Sequence, residues 1–379
     1  MDNETDSPMA GYVKQIETEY AAFARRAGAS KPQMPETAGA VNELVALAAL
    51  DSTNILARKI LANGDLRVID GGGLPGMAAV CADTQSAGHG RLGRQWSDKA
   101  GGASFLVTYV TALPQRLVTD SHYNGWFTVI AGLAALDALN GALEKCGAKP
   151  LDPAHGLELK WPNDIFYNGH KLGGILAELV ELPEGLNRLA VPQSQLSSEL
   201  QKEHGDGRIA AASVSDSDDA ADSSHAALQS NDAKSFAGNV EEDSSDASEL
   251  AVGVMFGIGI NLDIAEESLP TPISTSLQLL YAPLPVPATM RDMVAARLAA
   301  SLKRRLAALV ANPGAQLAKL WEEAQAKCWT LGREVEAKFT DGSKLAGKAI
   351  SLNPDASLTI QDAQGTPHVV KTGDVGVLA

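Results

Sequence analysis

Cysteine is scarce in this chain of 379 residues and follows no pattern that would pair it or place it around a metal. Cys81, Cys146 and Cys328 lie far apart, with no Cys-x-x-Cys pair and no histidine at metal-ligand spacing. Such cysteines are typical of packed, reduced side chains. The pattern excludes a disulfide scaffold and argues against a structural zinc site.

Long apolar runs are also missing, since no uninterrupted stretch reaches the roughly 18 residues that a membrane span requires. The acidic N-terminus lacks the basic and apolar segments of a secretory leader. Hydrophobic residues make up 45% of the chain, which is enough for a sizeable core. We therefore expect a globular, cytoplasmic protein without a membrane partner.

Positive charge is in deficit, because 31 Lys and Arg face 46 Asp and Glu and give a formal net charge of −15. This balance argues against nucleic acid as an obligatory partner. Residues 211–250 alone hold ten acidic side chains and one lysine. Because residues 182–249 are rich in Ser, Asp, Ala and Gln and lack sustained periodicity, we predict a disordered acidic insertion there.

The remaining patterns predict a mixed α/β chain. Apolar residues at helical spacing predict helices at 126–143 and 290–310, and Asp51 to Asn54 predicts the capped start of another at 55–63. Period-two alternation in residues 332–379 predicts a small antiparallel barrel. We expect an N-terminal extension at 1–40, a main domain at 41–325 and a C-terminal domain at 326–379.

The most informative stretch is Thr84 to Trp96, which crowds glycines and arginines together. Glycine lets a backbone approach a ligand closely, and arginine offers a permanent charge and a rigid donor fork, so we predict an anionic ligand. Its G-x-G-x-x-G spacing could also indicate a dinucleotide turn. That motif must open a helix, whereas Ala103 to Val110 reads as another strand, so we do not favour it.

Three further blocks combine strand ends with small or polar residues: residues 51–54, 159–176 and 257–261. Together the four blocks supply Arg and Lys for anions, a carboxylate for a metal and asparagines as neutral donors. Fixed cations, with Mg²⁺ held through carboxylates and substrate phosphates, suit nucleotidyl transfer.

In this order, the motifs resemble those of the biotin protein ligases, or biotin–[acetyl-CoA-carboxylase] ligases: Asp-Ser-Thr-Asn, Gly-His-Gly-Arg-Leu-Gly-Arg, Lys-Trp-Pro-Asn-Asp, Lys-Leu-Gly-Gly-Ile-Leu and Gly-Ile-Gly-Ile-Asn. The resemblance implies an α/β (α+β) fold, with a class II synthetase-like catalytic domain, a mixed sheet, flanking helices and a C-terminal SH3-like β-barrel. It also implies formation of biotinyl-5′-AMP from biotin and ATP with release of pyrophosphate. Biotin would then pass to a lysine of a biotin carboxyl carrier domain.

The resemblance also implies roles for particular residues. Arg91 and Lys171 would be catalytic, where the biotin carboxylate meets the α-phosphate, and Asp164 would bind Mg²⁺, the expected cofactor. The biotin-binding set would be Ser52, Thr53, Asn54, Gln85, Gly88, His89, Gly90, Arg91, Lys171, Gly173 and Gly174. The set that binds ATP or AMP would be Arg91, Arg94, Trp96, Lys160, Asn163 and Asn261.

Simpler interpretations remain open for several of these residues. Ser52 and Thr53 could serve only as helix caps, Asp164 could cap a turn, and Lys171 could be a solvated hairpin lysine. His89 stands where the family usually has its first arginine, which puts a phosphate contact by that side chain in doubt.

Two other functions also remain open. One is a lipoate or octanoate ligase on the same fold, and the other is a biotin-binding regulator without catalysis. Residues 1–40 are too short and too acidic for the DNA-binding domain of some family members, so we expect no DNA partner. A monomer and a homodimer both fit the sequence.

Overall fold

The computed structural model describes residues 8–70, 73, 75–96, 102–190, 248–371 and 373–377. The chain divides into two compact units, Met1–Leu189 with Glu249–Ala379, and Ala190–Ser248. Only the two end residues of the second unit are described. The predicted disorder at 182–249 therefore lies largely outside the described residues. The prediction of disorder is wrong near both ends of this segment, because residues 188–190 and 248–249 belong to strands.

The described residues form seven α-helices and seventeen strands. The helices are α1 (Pro8–Ala27), α2 (Pro35–Ala40), α3 (Thr53–Ala62), α4 (Gln115–Val118), α5 (Trp126–Cys146), α6 (Pro287–Ala311) and α7 (Pro313–Lys327). The strands are β1 (Glu43–Leu50), β2 (Met77–Gln85), β3 (Gly88–His89), β4 (Gln95–Trp96), β5 (Ser104–Pro114), β6 (Lys149–Pro150), β7 (Leu157–Lys160), β8 (Asp164–Tyr167), β9 (His170–Val180), β10 (Arg188–Ala190), β11 (Ser248–Asn261), β12 (Tyr281–Ala282), β13 (Glu334–Lys338), β14 (Lys344–Leu352), β15 (Leu358–Gln361), β16 (Pro367–Val370) and β17 (Asp374–Val377).

An eight-stranded mixed sheet organises the fold, in the order β1-β2-β5-β11-β9-β8-β7, with β10 paired to β11. β1 and β2 run parallel, and the pairs from β2 to β7 along this order are antiparallel. Residues of β2 alternate between two cores: Met77 and Ala79 belong to one, Ala78 and Val80 to the other. Helices α5 and α6 cover the first face, and α1 and α3 cover the second. The predicted α/β class with a mixed sheet and flanking helices is confirmed.

Among the described residues, helix α5 is the one helix that is long and apolar enough to cross a membrane. Of its most apolar stretch, 78% is buried inside the protein, as expected for a core helix. It packs along α6, and Trp126, Ile130 and Leu133 are almost fully buried. The helix that the sequence predicts at 126–143 is therefore confirmed as a core element.

The hairpin between β8 and β9 turns at Asn168 and Gly169, with φ of 43° and 82°. Both are left-handed values, which Asn and Gly adopt more readily than other residues. Asn-Gly is a hairpin-turn signal that can be read from the sequence, and this turn places Lys171 at the start of β9. The backbone of Lys171 is fixed on its other side, where its N–H donates to the carbonyl of Ile273 at 2.7 Å.

A five-stranded antiparallel sheet closes the chain, in the order β16-β15-β14-β13-β17. Its buried residues, including Val335 and Ile360, belong to the same core as α5. The indole N–H groups of Trp126, Trp161 and Trp321 donate to the carbonyls of Pro354, Ala356 and Leu352, each at 2.8 Å. A C-terminal β-sheet region is present as predicted, and it shares its core with the main sheet. Trp161 is a buried core residue.

Candidate active site

A patch of the main sheet made of glycines forms the floor of a cavity. On β11, Ile258 and Ile260 are buried in the α5 core, so the alternate residues Gly257 and Gly259 lie on the opposite face. Gly259 pairs with Gly174 of β9, directly across the ladder. Because side chains alternate along a strand, Gly-Ile-Gly-Ile places core residues on one side and an open surface on the other.

The glycine and arginine stretch folds as a short hairpin over this floor. Gly88 pairs with Trp96 and His89 with Gln95, and a single 3₁₀ turn, Arg91–Gly93, lies between them. No α-helix begins within the motif, so the fold excludes the dinucleotide turn that the sequence did not favour. The Trp96 indole rests on the floor: a Cβ on Gly259 would lie 2.5 Å from its Cε2 atom.

Trp96 also has a buried donor that faces no acceptor. Among side-chain atoms of the described residues, its Nε1 is buried and has no hydrogen-bond partner. A buried N–H without an acceptor costs about 1–3 kcal/mol. An orphaned donor next to a glycine floor is typical of a surface shaped for a ligand.

Four cationic side chains line this one cavity, and three of them come from separate elements: Arg91, Lys160 and Lys171. Lys171 Nζ lies 2.7 Å from Asp164 Oδ1, and Lys160 Nζ lies 3.6 Å from Asp164 Oδ2. Arg91 donates to Asn163 Oδ1 at 3.2 Å, and Asn163 donates to the carbonyl of Ile175 at 2.8 Å. Side chains from three separate sequence motifs therefore lie in one cavity.

Burial alters the titration of two of these cations. It lowers the pKa of Lys160 below its ordinary value, although Asp164 acts in the opposite direction. Burial likewise lowers the pKa of Arg91, again against the attraction of Asp164. Both groups therefore lose solvation that an anionic ligand would replace. This electrostatic arrangement favours a phosphate or carboxylate in the cavity.

The contacts of Asp164 do not fit a dedicated metal ligand. Its carboxylate is 12% exposed and is shared by the ammonium groups of Lys160 and Lys171. Within the described parts of the chain, no group of three or more His, Cys, Asp or Glu could hold a metal ion. In this arrangement Asp164 orients two lysines, and the interpretation as a turn cap is incomplete.

The N-terminus of α3 forms one end of the cavity. Ser52 is its N-cap by backbone position but makes no capping hydrogen bond with its side chain. Instead, Gln85 Oε1 accepts the Thr53 N–H at 2.7 Å and the Thr53 hydroxyl at 3.2 Å. The predicted capped helix start is present, but Gln85 of β2 supplies the acceptor. The Ser52 side chain therefore makes no capping hydrogen bond, and both Ser52 and Thr53 line the cavity.

Arg94 joins this cavity to the C-terminal sheet. Arg94 Nη2 lies 2.6 Å from Asp374 Oδ2, and both residues line the cavity. Burial raises the pKa of Asp374, but its hydrogen bond and charge interaction with Arg94 outweigh this, so the pKa lies below the ordinary value. Asp374 is a site residue that the sequence did not reveal.

We expect Asp374→Asn to lower the free energy of unfolding by less than about 1 kcal/mol, since both side chains are more than a third exposed and water screens the pair. A carboxyl with a lowered pKa in the fold stabilises it above its unfolded pKa, about 4, and loses that contribution as pH falls through the folded value. Urea unfolding at several pH values measures this. The difference between variant and wild type should vanish in acid. Glu336→Gln on β13 is the matched control, and a difference that persists in acid would contradict the assignment.

Most of the predicted site residues line the cavity, and three do not. The residues that do are Ser52, Thr53, Asn54, Gln85, His89, Gly90, Arg91, Arg94, Trp96, Lys160, Asn163, Asp164, Lys171 and Gly174. Gly173 lies on the opposite face, where a Cβ would strike the carbonyl of Gly259 and the side chain of Ile260. Its role is close packing between strands, which corrects its prediction as a wall of the biotin slot.

The other two exceptions lie just outside the cavity. A Cβ on Gly88 would meet Gln85 Nε2 and the carbonyl of Trp96, each at 3.0 Å, so Gly88 lets the hairpin close. Asn261 lies in an adjoining groove and donates to the carbonyl of Thr275 at 2.8 Å. That groove also contains Phe166 and Trp329, whose ring centroids are 5.0 Å apart.

Comparison with known proteins adds evidence from sequence. Residues 73–186 match the model of the biotin/lipoate A/B protein ligase family. The matched segment covers less than half of the chain. It contains the hairpin with Arg91, the β7–β8–β9 strands with Lys160 and Lys171, and the floor glycine Gly174.

Curated relatives extend the match. The chain is 37% identical over 145 residues to a biotin–[acetyl-CoA-carboxylase] ligase of Paracoccus denitrificans, which is 38% of this chain and 50% of that protein. It is 33% identical over 146 residues to the enzyme of the same name from Mycobacterium tuberculosis, which is 37% of this chain and 50% of that protein. The chain thus spans about half the length of the curated relatives it matches. The resemblance to biotin protein ligases is confirmed over this part.

Among solved structures, the biotin protein ligase from Aquifex aeolicus in complex with biotin and ATP matches 89% of this chain and 97% of its own. The sequence identity is 18% and the TM-score is 0.49. At these values the similarity carries no conclusion about function.

Proposed function

We propose that this protein is a biotin protein ligase, a biotin–[acetyl-CoA-carboxylase] ligase that joins biotin to ATP and then to a carrier lysine. The main support is the meeting of Arg91, Lys160 and Lys171 above a glycine floor in one cavity. Such an arrangement neutralises two anions brought together, a carboxylate and a phosphate, which would otherwise repel each other.

In the first step, an oxygen of the biotin carboxylate attacks the α-phosphorus of ATP. A new P–O bond forms, the bond to the bridging oxygen of the β-phosphate breaks, and pyrophosphate leaves with the electron pair. Lys171 and Arg91 bind the carboxylate and α-phosphate oxygens, where negative charge accumulates. Lys160 and Arg94 bind the outer phosphates. Trp96 contacts the nucleotide, and Asn163 holds Arg91 in place through their hydrogen bond.

In the second step, the ε-amine of a carrier-domain lysine attacks the acyl carbon of biotinyl-5′-AMP. The new C–N bond replaces the C–O bond to the phosphate, AMP leaves, and the amine releases a proton. Lys171 stabilises the departing phosphate as it did the incoming carboxylate. No nucleophile of the protein is needed in either step.

We propose that Mg²⁺ enters with the nucleotide phosphates rather than on a dedicated protein site, since two lysines already neutralise Asp164. Mg²⁺ supplies positive charge to the phosphate oxygens when bound. We also propose a cytoplasmic enzyme without a DNA partner, as a monomer or a homodimer, in line with the net charge of −15.

The inner end of the cavity favours biotin over lipoate or octanoate. Ser52, Thr53, Asn54 and Gln85 give that end buried hydroxyls and amides. A ring with N–H and C=O groups satisfies such groups, whereas an apolar tail leaves them unpaired at a cost. The alternative of a lipoate ligase is therefore not favoured.

The test is to incubate the purified full chain with biotin, ATP, Mg²⁺ and a biotin carrier domain, and to measure pyrophosphate release and biotinylation of the carrier lysine. We expect both, and expect neither with lipoate or octanoate. Pyrophosphate release without biotin transfer would reject the ligase assignment, and biotin binding without pyrophosphate would favour a non-catalytic regulator.

We expect Arg91→Gly to form the adenylate but to hold it poorly, because the variant loses the guanidinium that binds the phosphate and carboxylate oxygens. Diffusible biotinyl-5′-AMP should then label lysines of a bystander such as serum albumin at least about tenfold more than with the wild type, which corresponds to about 1.4 kcal/mol. Streptavidin blotting of the bystander measures this. Arg116→Gly, at an exposed pair with Glu249, is the control. Bystander labelling at the wild-type level would remove Arg91 from this role.

A further inference from the structure

A chain of hydrogen bonds runs from the protein surface to the inner end of the cavity. At its outer end, Arg58 donates to Glu178 Oε1 at 2.9 Å. Asn54 Nδ2 donates to Glu178 Oε2 at 2.6 Å, and Thr108 Oγ1 lies 2.5 Å from Asn54 Oδ1. Thr108 Oγ1 also lies 2.8 Å from Thr53 Oγ1. Asn54, Thr108 and Thr53 are all buried, so these contacts are shielded from water.

The sheet holds this chain in position. Glu178 and Thr108 lie on β9 and β5, on either side of β11. Gly257 of β11 pairs with Thr108, and a Cβ there would collide with the Asn54 amide. The absence of a side chain at Gly257 therefore makes the space in which Asn54 bridges the two outer strands. Asn54 cannot move away without losing both partners.

The carboxylate at the outer end fixes the direction of the bonds from Asn54 to Glu178 and from Thr108 to Asn54. A carboxylate only accepts hydrogen bonds, so Asn54 must turn its NH₂ toward Glu178 and its oxygen toward Thr108. An oxygen facing Thr108 requires the Thr108 hydroxyl to donate to it. Because Thr108 uses its single hydroxyl proton in the bond to Asn54, it cannot also donate to Thr53. The Thr53 hydroxyl must therefore give its own proton to Thr108 Oγ1 or to Gln85 Oε1.

We infer that Glu178 is a specificity-determining positioning residue, which orients the Thr53 hydroxyl so that its lone pairs face the cavity and accept an N–H of the ligand. This inference rests on the proposed function, and it identifies the feature of biotin that is read: a ring N–H donor at the inner end. Glu178 itself does not line the cavity. A ligand with an acceptor at this position would meet lone pairs of Thr53 and bind weakly.

The test uses calorimetry of the full chain with biotin and with the two cyclic carbamate analogues in which one ureido N–H is replaced by oxygen. The wild type should bind one analogue at least tenfold more weakly than the other. In Glu178→Gln, the new amide can donate, so Asn54 can turn over and Thr108 can donate to Thr53 instead of accepting from it. That bond occupies a Thr53 lone pair that the ligand N–H would use. We expect biotin to bind that variant several-fold more weakly, and the discrimination against the sensitive analogue to shrink at least fivefold.

Glu178→Asp keeps a carboxylate and should retain the wild-type order of the analogues, which a purely structural role would not require. Glu249→Gln removes an exposed carboxylate that pairs with Arg116 on the same sheet and should change nothing. Unchanged discrimination in a folded Glu178→Gln would overturn the inference while leaving the function intact. Absence of biotin binding by the wild type would instead reject the proposed function.

Discussion

Replacing Lys171 by alanine is expected to lower biotin-dependent pyrophosphate release by about 10²–10³-fold, the usual cost of removing one preorganised donor to a transition-state oxygen. Lys171 lies at the start of β9, its Nζ is 2.7 Å from Asp164, and its backbone is fixed by Ile273. The side chain can be removed without disturbing those backbone bonds. Single-turnover measurement of pyrophosphate at saturating biotin and ATP separates this loss from weaker binding.

The control for this experiment is Lys344→Ala, which removes an exposed lysine from the C-terminal sheet. Lys171→Arg keeps the charge but changes the donor geometry, and it should recover only part of the activity. The role assigned to Lys171 would not survive if the alanine variant, folded as judged by circular dichroism, released pyrophosphate at the wild-type rate.

Gly259→Ala is expected to eliminate activity for a different reason, because its methyl group would lie 2.5 Å from Cε2 and 2.7 Å from Cζ2 of Trp96. The indole must leave the floor, and the hairpin that carries Arg91 must move with it. A shift of about 1 Å in a reacting group can cost about 10²-fold in rate. We expect a loss of at least that size, together with increased acrylamide quenching of Trp96 fluorescence.

Gly174→Ala provides the comparison, since it lies directly opposite on the same floor. A Cβ there would be 3.4 Å from Lys171 Nζ and from Trp96 Cζ3, which is ordinary contact. The ligand-free Gly174→Ala protein should therefore keep the wild-type quenching. Equal quenching in both variants and the wild type would refute the packing of the indole on Gly259.

Much of this site could be predicted because its motifs lie at the ends of strands and turns. The Asn-Gly turn predicted the hairpin that carries Lys171, and the glycine and arginine stretch predicted an anionic ligand. Which face of the sheet each strand residue occupies could not be predicted equally well. Gly173 and Gly174 are neighbours in the sequence, and only the register of β9 with β11 shows which of them faces the cavity.

Three other residues around the cavity could not be identified from the sequence, for physical reasons. Thr108 and Glu178 are single polar residues in strands and belong to no motif, so only the pairing of β5, β11 and β9 reveals that they meet through Asn54. Asp374 lies in a segment whose period-two pattern indicated a separate module, and its contact with Arg94 spans most of the chain. The boundary of that module at residue 326 remains a prediction.

The contact between Arg94 and Asp374 has a consequence for the movement of the hairpin. Arg94 lies next to β4 of the hairpin, whereas β17, which carries Asp374 and the buried Val375, belongs to the C-terminal sheet. If the hairpin lifts from the glycine floor, it must either break this charged contact or carry the Asp374 side chain with it. The hairpin is thus restrained at two points, by the packing of the Trp96 indole and by the carboxylate of a second sheet.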